Sequence, residues 1–210
     1  MTKKSKFLNL SKIKFLKKIT MQGNSKKDRI LRATLKLITE NGFHATPVSM
    51  IAQEAGVGAG TIYRYFKSKE SIINELYDII MKELHEATMA NIPPDISVRD
   101  EFYTKWKNIL NFFITREYEG RFISQYMTSP YIERTVIEET KRRNIHLKLL
   151  IERGISQGEI RRVDYNTIAV YMWGTIKQLH YLYVNNAINL TEELIDDIYS
   201  VFWEGIKIHK

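Results

Sequence analysis

Between Gly58 and Lys69 the chain sets small residues ahead of hydroxyls and cations. Gly58, Ala59, Gly60 and Thr61 come first, then Tyr63, Arg64, Tyr65, Lys67 and Lys69. Small residues let a backbone approach a partner closely. Phenol, guanidinium and ammonium groups suit phosphate oxygens. Thr61 adds a hydroxyl able to bond a base edge or a phosphate. Ile62 and Phe66 lack such chemistry and, four apart, read as inward-facing. The pattern points to nucleic acid.

Other chemistries find little support. The absence of cysteine excludes a disulfide scaffold, thiolate-bound metal and a thiol nucleophile. His44, His85, His146, His180 and His209 form no pair at metal-ligand spacing. Gly56, Gly58 and Gly60 resemble a nucleotide loop, but they follow a helical pattern rather than a strand and lack the Gly-Lys that would continue it. No serine sits in a nucleophile elbow. We expect no enzyme: no catalytic residue, no metal and no cofactor.

Charge is unevenly spread. The net charge is +8. Residues 1–24 hold seven lysines and no acid, and residues 25–69 hold eight Lys or Arg against three acids. The remainder is net acidic. A basic front suits a polyanion, either nucleic acid or an anionic membrane. For the tail alone, solubilisation is the favoured reading. The apolar residues of the first stretch are interrupted by lysine, unlike a secretory signal. No run approaches the length of a membrane span.

The elements that would position these groups read as helices throughout, about nine, in an all-α fold. Residues 1–24 form a basic extension with some amphipathic spacing; whether 1–20 are an extension or reflect an upstream start is open. Ser25 and Asp28 form a capping box before Ile30, Leu31, Thr34, Leu35, Leu37 and Ile38. Asn41 and Gly42 end that helix. Thr46 as cap and Pro47 as first residue open a short helix running to Ala55. Gly56, Val57 and Gly58 turn the chain into a third helix, Ala59 to Phe66. Ser68 caps a fourth. A further capping box at Ser97 and Asp100, a short helix over 120–126, a long one from Ser129 to Gln157, and helices over 164–185 and 191–207 complete the reading. No strand alternation of useful length appears. The expected division is 25–72 for a DNA-binding domain and 73–210 for a larger helical domain.

Two short helices joined by a glycine turn and braced by longer ones form a helix-turn-helix. Residues 30–77 resemble the TetR family of bacterial transcriptional regulators. The resemblance rests on the Asn41, Gly42, Phe43 corner, Thr46, Ile51, Ala52, Ala55, Gly56, Val57, the Gly60, Thr61, Ile62, Tyr63 run, Tyr65, Phe66, Lys69 and Glu70. Pro47 with Val48 departs from the family's more frequent Thr-Val or Ser-Val. The resemblance implies a double-stranded DNA operator. Tyr65 and Lys69 are expected on phosphates, with Ala59, Gly60, Thr61, Tyr63 and Arg64 at or near the groove. Thr46 and Ser49 complete the expected contact set.

The resemblance also implies a homodimer built on the last two helices, with a ligand pocket inside each larger domain. Gly174, Ile198, Val201, Phe202 and Ile206 are the expected interface. Ala169, Gly174 and Thr175 would permit close helix approach. For the pocket we expect Trp106, Phe113, Tyr126 and Trp173, with Gln178 and His180 as polar contacts. Aromatics and methionines suit an apolar or aromatic effector, although aromatics at helical spacing more often form core. Lys105, Lys107 and Lys177 are expected on solvated faces, and Glu117 and Glu119 in a solvated turn. The resulting expectation is a cytoplasmic, ligand-responsive regulator, a repressor released from a palindromic operator, with no stable membrane association. The competing reading is a helical protein that binds membranes or nucleic acid non-specifically through its basic front.

Overall fold

The computed structural model describes residues 23–127, 129–131, 138, 139, 142 and 145–209. Among these, the chain forms α1 (Lys26–Asn41), α2 (Val48–Glu54), α3 (Ala59–Tyr65), α4 (Lys69–Met89), α5 (Val98–Thr115) and α6 (Glu117–Tyr126). After them come α7 (Ile145–Ser156), α8 (Tyr165–Val184) and α9 (Glu192–Ile206). The fold is all-α. The basic stretch 1–22 lies outside the described residues, as does most of the expected long helix ahead of Ile145. Ser129 to Tyr131 form a bend and turn.

Helix starts follow local chemistry, because the first turn has N–H groups without partners. Ser25 Oγ accepts from the Asp28 N–H at 3.0 Å, and Asp28 Oδ2 accepts from the Ser25 N–H at 3.1 Å. Ser68 and Ser71 cap α4 in the same reciprocal way. Ser97 caps α5, but Asp100 answers through the Ser97 hydroxyl at 2.8 Å. Asp164 and Thr191 cap α8 and α9.

Some starts differ from expectation: α6 begins at Glu117 rather than at residue 120, and Ser129 lies in a bend instead of opening a helix. Pro47, not Thr46, occupies the cap of α2, and no side chain caps it. The Thr46 hydroxyl turns back and donates to the Gly42 carbonyl at 2.8 Å, and it also lies 3.2 Å from the Leu37 carbonyl. It ties the α1–α2 corner instead of opening a helix.

The amino-terminal helices share a core of Ile30, Leu35, Ile38, Ile51, Ile62, Phe66, Ile72 and Ile73, all buried. Lys27–Glu75 at 2.6 Å and Lys36–Glu54 at 2.7 Å link α1 to α4 and α2 on the outside. In the larger half, α5 is central and packs on α4, α6, α7 and α8. Its Phe102 meets Phe202 and Trp203 of α9 at 6.1 and 6.3 Å. The expected division after residue 72 falls inside α4, which belongs to both halves. A second connection runs through α6: Phe122 meets Phe43 at 6.0 Å, and Tyr126 stacks on Tyr77 of α4 at 4.1 Å. No helix of the described residues is long and apolar enough to cross a membrane.

Candidate DNA-binding face and ligand cavity

The α2–α3 turn needs Gly56, whose φ of +62° is in the left-handed region. The turn carries the chain into α3, which packs on α1 and α2. Ile62 and Phe66 anchor it in the core, while Ala59, Gly60, Tyr63, Arg64 and Tyr65 remain exposed and Thr61 is half-buried. Tyr63 is 59% exposed, unusual for a large aromatic side chain in a folded chain. Ser49 lies exposed on α2.

Two glycines here, Gly58 at the cap of α3 and Gly60 inside it, have open space beside them. A Cβ at Gly58 or Gly60 would meet nothing within 4 Å, and neither has a positive φ. Inside α3, Gly60 also weakens the helix by about 1 kcal/mol relative to alanine. Both positions leave the backbone open to close approach from outside the chain.

Lys69 is half-buried. Its ammonium donates to the Phe43 carbonyl and lies 6.0 Å from the Tyr131 ring centroid. Burial pushes its amine below the ordinary lysine value. The group holds the α1–α2 corner as well as standing beside the α3 face. Thr46 is a correction to the expected contact set: it is fully buried with its hydroxyl committed, so it supports the face without belonging to it.

A second exposed face lies on α8 and α9. Val170, Tyr171, Tyr181 and Val201 are all more than 60% exposed. Thr167, Tyr171, Ile198, Val201 and Gly205 line an apolar groove there, and Gly174 is exposed nearby. Phe202 and Ile206 also border the groove, but they are only 8% and 5% exposed. Their side chains are spent inside the chain, Phe202 against Phe102 and Tyr199. Against their expected place at an interface, little of either side chain is left for a partner; Val201 and Tyr171 offer the free surface.

A partly enclosed cavity lies between α4, α5, α7 and α8. Met81, Leu84, His85, Thr88, Met89, Lys105, Ile109, His146, Leu147, Met172 and Trp173 line it. Of the expected pocket residues, Trp173 is in this wall. Trp106 is fully buried beside Tyr199, and its indole N–H has no hydrogen-bond partner among the described residues. Gln178 is exposed to solvent. Phe113, Tyr126 and His180 lie in the core and do not line the cavity, although Phe113 packs behind the wall against Trp173 at 6.5 Å. Phe113 packs edge-on to His180 at 5.4 Å, and the Tyr126 hydroxyl donates to Asn74 Oδ1 at 2.9 Å.

Several charged groups expected in solvent are instead enclosed. Lys105 is 5% exposed; its ammonium pairs with Glu101 at 2.6 Å, and Arg153 of α7 reaches the same carboxylate at 2.8 Å. Lys107 bonds Glu192 at 2.5 Å, leaving Lys177 the exposed one. Glu119 is fully buried, and Glu117 pairs with Arg121 at 2.8 Å. Helix α5 has neighbours on most sides, so little of its circumference faces water. His180 is buried, and desolvation together with the charge of Arg121 lowers its imidazole to about 4. The sequence reading missed Met81, His85 and Met89 as a set, although their four-residue spacing puts them on one face of α4.

The family profile described as bacterial regulatory proteins, tetR family, matches residues 30–76. The profile described as tetracyclin repressor-like, C-terminal domain, matches residues 77–208. The fatty acid metabolism regulator protein of Bacillus subtilis is 29% identical over 166 residues, 75% of this chain and 83% of that protein. The uncharacterized HTH-type transcriptional regulator YhgD of the same organism is 28% identical over 149 residues, 70% and 78% of the two chains. A TetR family regulator from Marinobacter aquaeolei superposes with a TM-score of 0.80 over 88% of this chain and 96% of its own, at 20% identity. FadR of Bacillus subtilis, in complex with stearoyl-CoA, superposes with a TM-score of 0.72 over 86% and 98%, at 25% identity.

Proposed function

Because the chain belongs to the tetR family of bacterial regulatory proteins, as a DNA-binding transcriptional regulator and not an enzyme, we propose that it is a repressor. It binds a palindromic operator in the cytoplasm as a homodimer and leaves it when a small hydrophobic effector binds. The observation that carries the reading is the α3 face. Two glycines with open space beside them adjoin exposed Tyr63, Arg64 and Tyr65. Ala59 to Arg64 enter the major groove, and Tyr65 and Lys69 hold phosphates. The free apolar face of α8 and α9 pairs with its copy across a two-fold axis. That pairing sets two α3 helices about one DNA turn, roughly 34 Å, apart.

The effector enters the cavity between α4, α5, α7 and α8. Helix α4 connects the two sites, with Lys69 at one end and Met81, Leu84 and Met89 at the other. Residues 69 and 81 are about 18 Å apart along it at 1.5 Å per residue. A tilt of about 10° at the cavity therefore shifts the DNA end by about 3 Å. An effector that prefers the tilted state draws the dimer away from operator spacing. Similarity to a Bacillus subtilis fatty acid metabolism regulator, and to Bacillus subtilis FadR in complex with stearoyl-CoA, makes a long apolar chain the first candidate for the effector.

The test is Gly60→Leu, with an operator selected from random duplexes. The variant should fold at least as stably as the parent, since leucine is the better helix former by up to about 1 kcal/mol. Operator affinity, followed by fluorescence anisotropy, should fall at least about tenfold as groove contacts worth 1–3 kcal/mol each are lost. Unchanged affinity would overturn the placement of α3 in the groove.

A further inference from the structure

We infer that the cavity takes an amphipathic anion: an apolar chain whose acidic head is held by the Lys105 ammonium and the His85 and His146 imidazoles. This rests on the proposal that the cavity is the effector site and adds the charge of its occupant.

The inference starts from the wall. Met81, Leu84, Ile109, Leu147, Met172 and Trp173 are apolar, and no carboxylate is among the described lining residues. The ionisable groups that do line it are basic. Lys105 is almost completely buried, while His85 on α4 and His146 on α7 face each other with rings 5.4 Å apart. His85 is half-buried and His146 exposed, which places them toward the cavity's opening.

Charge balance points the same way. Glu101 accepts from both Lys105 and Arg153. Among the described residues one carboxylate thus faces two cations; Arg153 keeps part of its charge in solvent, while the buried Lys105 ammonium has only a shared counter-ion beside an apolar wall. A buried charge without full compensation is costly, and a ligand anion relieves that cost. A neutral ligand leaves it in place, and a cation adds to it. Hydrogen bonds in which both partners are charged are also among the stronger ones.

The wall is suited to making room. The free space is about 50 Å³, enough for a few waters at roughly 10–15 Å³ each by this measure. A chain of several carbons must therefore displace side chains. Met81, Met89 and Met172 are the unbranched, easily rearranged ones. Entry of the chain would push on the distal half of α4, the helix that reaches the DNA-binding half.

The experiment titrates the full-length dimer with dodecanoate, dodecyl phosphate, dodecanol and dodecyltrimethylammonium, each below its micelle concentration. Binding is read by calorimetry and operator release by anisotropy. At least one anion should bind about tenfold or more tighter than dodecanol, the gain expected of a hydrogen bond to a charged group. The ammonium compound should bind weakest. Preference for dodecanoate assigns a carboxylate head, and preference for dodecyl phosphate a phosphate head. Lys105→Met should collapse the anion's advantage to within about threefold of dodecanol, a residue of less than one charged hydrogen bond. Should that variant fail to fold, the double variant His85→Gln with His146→Gln, at a half-buried and an exposed position, should reduce the same ratio. Equal binding of dodecanol and the anions to the parent protein would overturn the anionic head while leaving the cavity as a hydrophobic site. Binding of none of the compounds would overturn the cavity's role as well.

Discussion

Val201 and Phe202 are neighbours in sequence whose substitution should produce opposite failures. Val201 is 76% exposed in the isolated chain, whereas Phe202 is 8% exposed and packs on Phe102 and Tyr199. Complete burial of a valine side chain stabilises by about 1.5–3 kcal/mol. Roughly three quarters of that remains available to Val201, or about 1–2 kcal/mol per protomer. A two-fold interface uses the residue twice, so Val201→Glu should remove about 2–4 kcal/mol of dimerisation energy. The dimer Kd should rise by about 30-fold to 1,000-fold, and further if the new carboxylate is desolvated. Sedimentation velocity at micromolar concentration should show a folded monomer with parental helical circular dichroism. Operator affinity should collapse, because the two half-sites are no longer linked. Phe202→Asp should instead empty a core site, with a loss of at least about 3–5 kcal/mol, and yield unfolded or aggregated protein. A Val201→Glu protein that stays dimeric with an unchanged Kd would refute the interface. So would a Phe202→Asp protein that is a well-folded monomer.

Lys69→Ala should weaken binding to all DNA sequences alike and reduce the slope of log K against log salt by about 0.9, one phosphate's share. Because the same ammonium holds the Phe43 carbonyl, thermal stability should also fall by about 1 kcal/mol; an unchanged salt slope removes the phosphate assignment. His180 predicts an acid sensitivity. Its imidazole sits at about 4 in the folded chain against 6.5 when free, so between those values the unfolded state binds a proton the folded state refuses. Stability should therefore fall as pH drops through this window, by roughly 3 kcal/mol in all. His180→Gln should flatten that part of the profile, and parallel curves for the two proteins would contradict it.

The DNA-binding half was readable because its signals are short-range. Ser25 with Asp28, Ser68 at the start of α4 and Gly56 in the turn act on backbone groups within a few positions of themselves. No distant partner is needed for a cap to fill or a left-handed turn to form. The open space beside Gly58 and Gly60 became visible only with neighbours in place. Thr46 shows the limit even at short range. Its side chain could serve α2 as a cap, yet the α1 carbonyls lie close enough to take the hydroxyl.

The larger half was readable as helices and misread as faces. Periodicity located α5, α8 and α9 to within a few residues, since each helix needs only its own repeat of apolar positions. It did not say which apolar stripe meets the same chain. Phe202 and Val201 are both apolar and about 100° apart around α9, and only the position of α5 sent one inward. Lys105 looked solvated because lysine usually is; enclosure of α5 by other helices, with Glu101 and Arg153 at hand, made burial possible. The sequence alone therefore determined the all-α class, most helix bounds to within a few residues and the presence of a DNA-reading motif, because those depend mainly on residues close along the chain. Which side chains line the cavity and which face stays open was decided by tertiary structure, because burial depends on groups brought together from positions far apart in the sequence.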